Sequence, residues 1–255
     1  MEKTKHPIRL WAVLVWLLVW QGAGMTLARL WPNGHLLLAT PLTALTRLAD
    51  LALSAAFWRA VAVSAAHIIG GFLLSCAFGV LLAALAARFR GVRELLSPVV
   101  AAIKAVPVVS FIILALVWLD AGQLSLFIAA LMVFPPVYLN VLSGIAGADR
   151  QLLEMARVFR VPFGRRLRGI YLPAVLPYFR TAVSLALGLC WKAGIAAEVI
   201  GLPGGTMGEA LYQAKVYYET GDLFAWTAVI VAVSLVFEKL FLRLVDAAAG
   251  KAVRL

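Results

Sequence analysis

Charge is what this sequence has least of. Only 14% of its 255 residues are charged and only 12 are acidic, where soluble domains carry about 25% charged residues. A chain that is 64% hydrophobic, with several apolar runs near or beyond the ~20 residues needed to cross a bilayer, is an integral membrane protein. It is helical, because a helix satisfies its own backbone in lipid. Cysteine is scarce as well. Cys76 and Cys190 stand in separate apolar runs, without CxxC spacing or a nearby histidine, which leaves core packing rather than a disulfide or a metal. His6, His35 and His67 are scattered, and no metal site is expected. Nor is there a nucleotide loop. GLPGGTMG at 201–208 is glycine-rich, but no Gly-Lys-Ser/Thr follows and no strand precedes it. A flexible re-entrant turn fits it better. With no internal repeat, low-complexity tract, soluble domain or nucleic-acid module, 1–255 reads as a single transmembrane domain.

What is present is basic charge, unevenly placed. The net charge is +11, and in a membrane chain the positive-inside rule explains it better than nucleic acid does. Spans are predicted at 10–28, 60–87, 95–119, 124–146, 174–200 and 223–245. The first is too long for a typical signal-peptide core and lacks a cleavage pattern, so it is read as retained. One side collects Lys3, Lys5, Arg9, Arg88, Arg90, Arg93, Lys104, Arg150, Arg157, Arg160, Arg165, Arg166, Arg168, Arg180, Lys239, Arg243, Lys251 and Arg254; the other holds Arg29, Arg47, Arg59 and Lys215. The asymmetry predicts an all-α polytopic membrane protein with six transmembrane helices and both termini cytoplasmic. The external stretch 31–59 is expected to form an interfacial helix leading into the second span.

Several intramembrane residues stand out. Gly71, Ser75 and Gly79 recur every four residues, either as a close-packing stripe or as the ordinary abundance of small residues in such helices. Pro98, Pro107 and the Pro135-Pro136 pair each remove a backbone donor. They predict either static kinks or a translocation path lined by broken helices, with Ser110, Tyr138 and Asn140 as polar groups along it. Lys192 lies well within a span, and charge there is costly and seldom idle. It either attracts an anion, pairs with another helix or snorkels. Glu198, six residues on, is a gate near the outer mouth or a capping group.

The most informative segment is DRQLLEMARVFRVPFGRRLRGIYLP at 149–173. Asp149 is an N-cap candidate, and Leu152, Leu153, Ala156 and Phe159 recur at helical spacing. Val161-Pro162-Phe163-Gly164 breaks that helix, and a second short helical run, 165–171, ends at Leu172-Pro173. The segment resembles the EAA loop of ABC importer permeases, through which the membrane subunit grips its ATPase. Glu154, Met155 and Ala156 stand at the E-A-A positions, and Ile170, Leu172 and Pro173 at I-x-L-P. Met155 replaces an alanine. Arg160 stands at the family's glycine. Either Arg160 adopts a left-handed backbone, at about 1–2 kcal/mol, or the turn moves to Pro162-Phe163-Gly164. FWRAVAVS at 57–64, KAVPVVSF at 104–111, WKAGIAAEVIG at 191–201 and AWTAVIVAVSLVFEKL at 225–240 are similar to the nitrate, sulfonate and taurine branch of these permeases.

That resemblance implies a type I ABC importer permease of a bacterial or archaeal inner membrane, not an enzyme. Two copies, expected to be identical, would surround one path. Two ATPase subunits would bind the ATP and Mg, leaving this chain without a cofactor, and an extracytoplasmic solute-binding protein would deliver a small solute such as sulfonate, taurine or nitrate. Membrane lipid is the remaining partner, and nucleic acid is not one. Phe159 would fill an apolar ATPase pocket, Glu154 and Arg157 would make polar contacts at its edge, and Gly164 would permit the bend. The candidate path residues are Pro107, Ser110, Pro135, Tyr138, Asn140, Lys192 and Glu198. The competing readings are an ion-gradient-driven secondary carrier, a membrane assembly protein, and a same-family importer of a pyrimidine-type vitamin precursor.

Overall fold

The computed structural model describes residues 10–253, so Lys3, Lys5, His6, Arg9 and Arg254 lie outside it. Its helices are α1 (Leu10–Leu30), α2 (Gly34–Leu37), α3 (Pro41–Ala52), α4 (Ala55–Arg88), α5 (Arg90–Ala105), α6 (Val108–Ala115), α7 (Ala121–Ala146), α8 (Arg150–Val158) and α9 (Phe163–Arg166). A π-helical turn (Leu167–Tyr171) then runs into α10 (Leu172–Gly201), followed by α11 (Met207–Val216) and α12 (Thr220–Val253). There is no strand among the described residues.

Four segments are long and apolar enough to cross a membrane: Trp11–Leu30, Ala55–Arg88, Ala121–Ala146 and Phe163–Gly201. The third expected span is not one rod. It is α5 and α6, bent by 106°, with extended Val106 and Pro107 at the joint. Proline disfavours helical backbone at the residue before it, and Val106 is that residue. Counted as one span, the pair makes a fifth. Helix α12, of 34 residues, stands where the sixth was expected. The Pro135-Pro136 pair, in contrast, leaves α7 continuous. The Asn140 Nδ2 donates to the Pro136 carbonyl at 2.8 Å.

Helix α7 is the central post, flanked by α4 and α10. Its contacts are backbone-close because glycines stand at the crossings. A Cβ on Gly71 would overlap the Leu126 carbonyl, and one on Gly79 would lie 2.8 Å from Val137 Cγ1. A Cβ on Gly144 would lie 2.9 Å from Val175 Cα. The 71–75–79 stripe is thus a packing face, with Ser75 buried between the glycines. Cys76 and Cys190 are both buried in the same core. Helix α12 closes the far side through aromatic contacts, Phe57 on Trp226 and Phe72 on Phe237 and Phe241.

The segment 201–208 is a short turn that runs into a capped helix, α11. Leu202 takes a left-handed backbone, Thr206 caps α11 by accepting from Glu209 N–H at 3.3 Å, and neighbouring helices satisfy the helix's first two donors. Met207 N–H donates to Ser64 Oγ at 2.9 Å, Ser64 Oγ–H donates to Glu198 Oε2 at 2.7 Å, and Gly208 N–H donates to the same oxygen at 3.0 Å. The first N–H groups of a helix have no partner inside it, and a carboxylate complements the positive end of the helix dipole. A Cβ on Gly208 would overlap Glu198 Cβ, so only glycine admits this approach. α4, α10 and α11 meet at one fully buried carboxylate.

Two outcomes are expected. Gly71→Val forces α4 from α7 at about 1–3 kcal/mol and lowers the melting temperature in detergent. Gly70→Ala, whose Cβ lies 3.7 Å from Leu126 Cδ1, leaves it unchanged. Glu198→Ala strands Ser64 and Gly208 at about 1–3 kcal/mol each and speeds amide exchange at Met207 and Gly208; Glu198→Gln keeps an acceptor and exchanges more slowly than the alanine variant.

Candidate functional site

The basic segment between α7 and α10 is built from local signals. Asp149 caps α8 by accepting from Gln151 N–H at 2.8 Å. The helix ends in paired C-terminal bonds, Val161 N–H to Ala156 C=O at 2.9 Å and Arg160 N–H to Arg157 C=O at 3.1 Å. This closure demands a left-handed residue between its two bonds, and Arg160 supplies it with φ 49°. The bend therefore sits at Arg160. Gly164, expected to permit it, lies inside α9 in open space and bears no left-handed turn. A non-glycine residue in that conformation costs about 1–2 kcal/mol.

The second half of the segment also departs from expectation. It does not end at Leu172-Pro173. Helix continues from Phe163 to Gly201, and Leu172 N–H reaches back five residues to Leu167 C=O. The wider π turn sits just before Pro173, whose ring would crowd a regular α-helical carbonyl. Ile170 is half-buried within the turn.

The face that α8 presents is apolar and uncovered. Ala156 is buried, but Phe159 is 74% exposed, Val158 78% and Met155 49%. Phe163 and Leu152 are exposed beside them. Glu154, Arg157 and Arg160 are exposed around this patch. Val158 lies on this helix and Phe163 is exposed just beyond it, and neither is among the residues the helical spacing singled out. They share the patch's signal, an apolar side chain in a run of charges. Near the loop, the Arg180 guanidinium forks onto Asp246 of α12, with Nη2 to Oδ2 at 3.0 Å.

The candidate path residues separate into two groups. Pro107, Ser110 and Lys192 are exposed on the outside of this chain. Lys192 continues a face of α10 that carries Thr181, Ser184 and Gly188, all exposed, and it makes no ion pair among the described residues. Pro135, Tyr138 and Glu198 do not line a path in this structure. Pro135 and Tyr138 are in the core around α7, and Glu198 is spent on the α11 cap. Asn140 is half-buried, with its amide engaged to Pro136. Ser64 and Gly208, the partners of Glu198, were not singled out as functional, although Ser64 closes the FWRAVAVS run. Among the described residues, no cluster of His, Cys, Asp or Glu has the makings of a metal site.

Comparison with known proteins places this geometry. SsuC of Bacillus subtilis, named as an aliphatic sulfonates transport permease, is 28% identical over 232 residues, covering 89% of this chain and 81% of its own. The riboflavin transport system permease RibX of Chloroflexus aurantiacus is 28% identical over 232 residues, covering 90% and 83%. The bicarbonate transport system permease CmpB of Synechococcus elongatus is 28% identical over 145 residues, covering 56% and 52%. The model of the binding-protein-dependent transport system inner membrane component family matches residues 77–252. That match takes in the C-terminal part of α4, α5 to α7, the loop, α10, α11 and α12 as far as residue 252, and the chain belongs to this family of ABC transporter permeases.

Proposed function

We propose that this chain is the membrane subunit of an ABC importer for a small anion and that the 148–173 loop is its ATPase-coupling element. The observation that carries this reading is the uncovered patch on α8. Met155, Val158 and Phe159 are exposed on a short, capped helix ringed by charge, and a partner must cover so much apolar surface. Phe159 is the anchor, with Glu154, Arg157 and Arg160 at the rim. Met155 and Ala156 shape the helix face, Gly164 lies in α9 beyond it, and Ile170, Leu172 and Pro173 join the loop to α10. ATP and Mg belong to the ATPase pair.

The rest of the assembly follows the same reading. The whole chain is one transmembrane domain with six spans in a bacterial or archaeal inner membrane, both termini and the loop in the cytoplasm. Two identical copies face each other across a path bordered by Pro107, Ser110 and the α10 face that ends in Lys192. An extracytoplasmic binding protein delivers the solute on the α11 side. An unpaired lysine within a span suits an anion, and the sulfonate and bicarbonate names of two relatives agree with that. The riboflavin relative supports a second substrate reading, a flat heterocycle or vitamin precursor. A secondary carrier is disfavoured because the buried carboxylate already serves a structural cap.

Co-purification with the cognate ATPase tests the reading. The parent is expected to give a mass of two permeases and two ATPases. Glu154→Arg loses the ATPases, and Phe159→Ala weakens docking about tenfold, as for an interface anchor worth over 1 kcal/mol. An unchanged complex in both variants overturns the coupling assignment. Arg160→Gly relieves the left-handed strain, so the loop gains about 1 kcal/mol, seen as slower amide exchange at Val161, while ATPase docking is retained.

A further inference from the structure

A groove of about 520 Å³ runs along the side of α7 between the C-terminal part of α4 and the start of α10. Its walls are apolar: Val80 and Ala84 from α4, Val141 and Ile145 from α7, and Val175 from α10. These residues lie within candidate membrane-crossing segments. At one end, where α4 terminates, the lining changes character. Arg88 and Tyr171 stand there. The Arg88 guanidinium lies 5.5 Å from the Phe89 ring centroid and makes no ion pair among the described residues. The remaining wall is the loop itself, through Phe163 and Leu167.

We infer that this groove is a binding site for an anionic phospholipid, one acyl chain lying in the slot and the phosphate on Arg88. The chemistry matches along its length. The slot offers hydrocarbon walls at span depth, and a polymethylene chain fills it without leaving a polar group unsatisfied. A lone cation at its end, on the basic side of the membrane, complements a phosphate diester, and guanidinium is suited to phosphate oxygens. Tyr171 is amphipathic and belongs at that depth, where the hydrocarbon meets the head groups. A second permease copy or an ATPase segment would also meet the apolar walls, but neither brings a phosphate to the arginine at the span's end. Bound there, the lipid touches the α9 and π-turn residues and braces the loop against α4 and α7. The site stands on the groove and Arg88, independently of what docks on α8.

Native mass spectrometry of the full-length permease tests it, purified from its membranes with its ATPase if the two stay together and then titrated with phosphatidylglycerol or phosphatidylcholine. The variants are Arg88→Gln, which removes the cation, and Ala84→Trp, which fills the slot; size-exclusion profiles matching the parent establish that each is folded. The parent is expected to retain phosphatidylglycerol over phosphatidylcholine by about fivefold, as for one arginine on an anionic lipid. Arg88→Gln abolishes the preference, and Ala84→Trp lowers retention of both lipids. Should Ala84→Trp misfold, Arg88→Gln alone decides. Equal retention of the two lipids by the parent, or a preference unchanged in Arg88→Gln, overturns the site. So does a cysteine crosslink from Ala84 to a second permease copy at full yield in the lipid-bound protein.

Discussion

Helix α7 holds the molecule together by lying closer to its neighbours than side chains would normally allow. In lipid, the apolar surface of a helix gains nothing by leaving its solvent, since acyl chains are as apolar as leucine. Association therefore depends on the closeness of packing. Gly71 and Gly79 bring α4 onto the backbone of α7, Gly144 brings in α10, and Gly194 receives the side chain of Ile68 from α4. The crossings also explain why two consecutive prolines leave α7 unbroken. It is enclosed by protein along much of its length, where a carbonyl that proline leaves without its donor can meet other protein groups rather than lipid. At Pro107 no such enclosure exists, and the chain turns sharply.

The buried carboxylate follows the same logic at the other end of α10. An ionisable group deep in a membrane protein is costly to leave unsatisfied. Glu198 is fully buried, and its Oε2 takes two hydrogen bonds, from a hydroxyl on α4 and from the open N-terminus of α11, while its Oε1 has no partner among the described residues. It fixes the short helix α11 to α4 and α10 through a single oxygen. A gate would need such a contact to break and re-form. A cap needs it to stay, and the glycine at 208 shows how closely the chain is built around it.

The basic loop is constructed in the opposite manner. Its local geometry is firmly set, by the Asp149 cap, the paired bonds that close α8 and the π turn that admits Pro173, while its apolar face is left uncovered. A helix capped at both ends with an unburied apolar face is already in shape for a partner, so that less ordering would be needed on contact. The left-handed Arg160 belongs to that design. The helix closure requires the conformation, and arginine adopts it at a cost that glycine would avoid. The groove that Phe163 and Leu167 help to line adjoins the same element, so that on the proposed readings a partner and a lipid would both act on one short stretch of chain.

The sequence by itself determined the membrane class, the helical architecture and the position of the loop, because these rest on composition, run length and motif spacing. Asp149, the break after α8 and the glycine stripe were all legible, each being a local signal with a local cause. The ambiguity at Arg160 was visible too, but only the backbone decided it: the helix closure selects the left-handed residue by its hydrogen bonds, and those fall on 160 rather than 164. Burial was the part that sequence could not settle. Pro135, Tyr138, Lys192 and Glu198 look alike as unusual residues in apolar helices. Tertiary structure put Pro135, Tyr138 and Glu198 inside the chain and left Lys192 outside, since which side of a helix faces a neighbour depends on where glycine lets that neighbour approach. The Ser64–Glu198–Gly208 tie was invisible for the same reason, joining residues 134 positions apart in the case of Ser64 and Glu198.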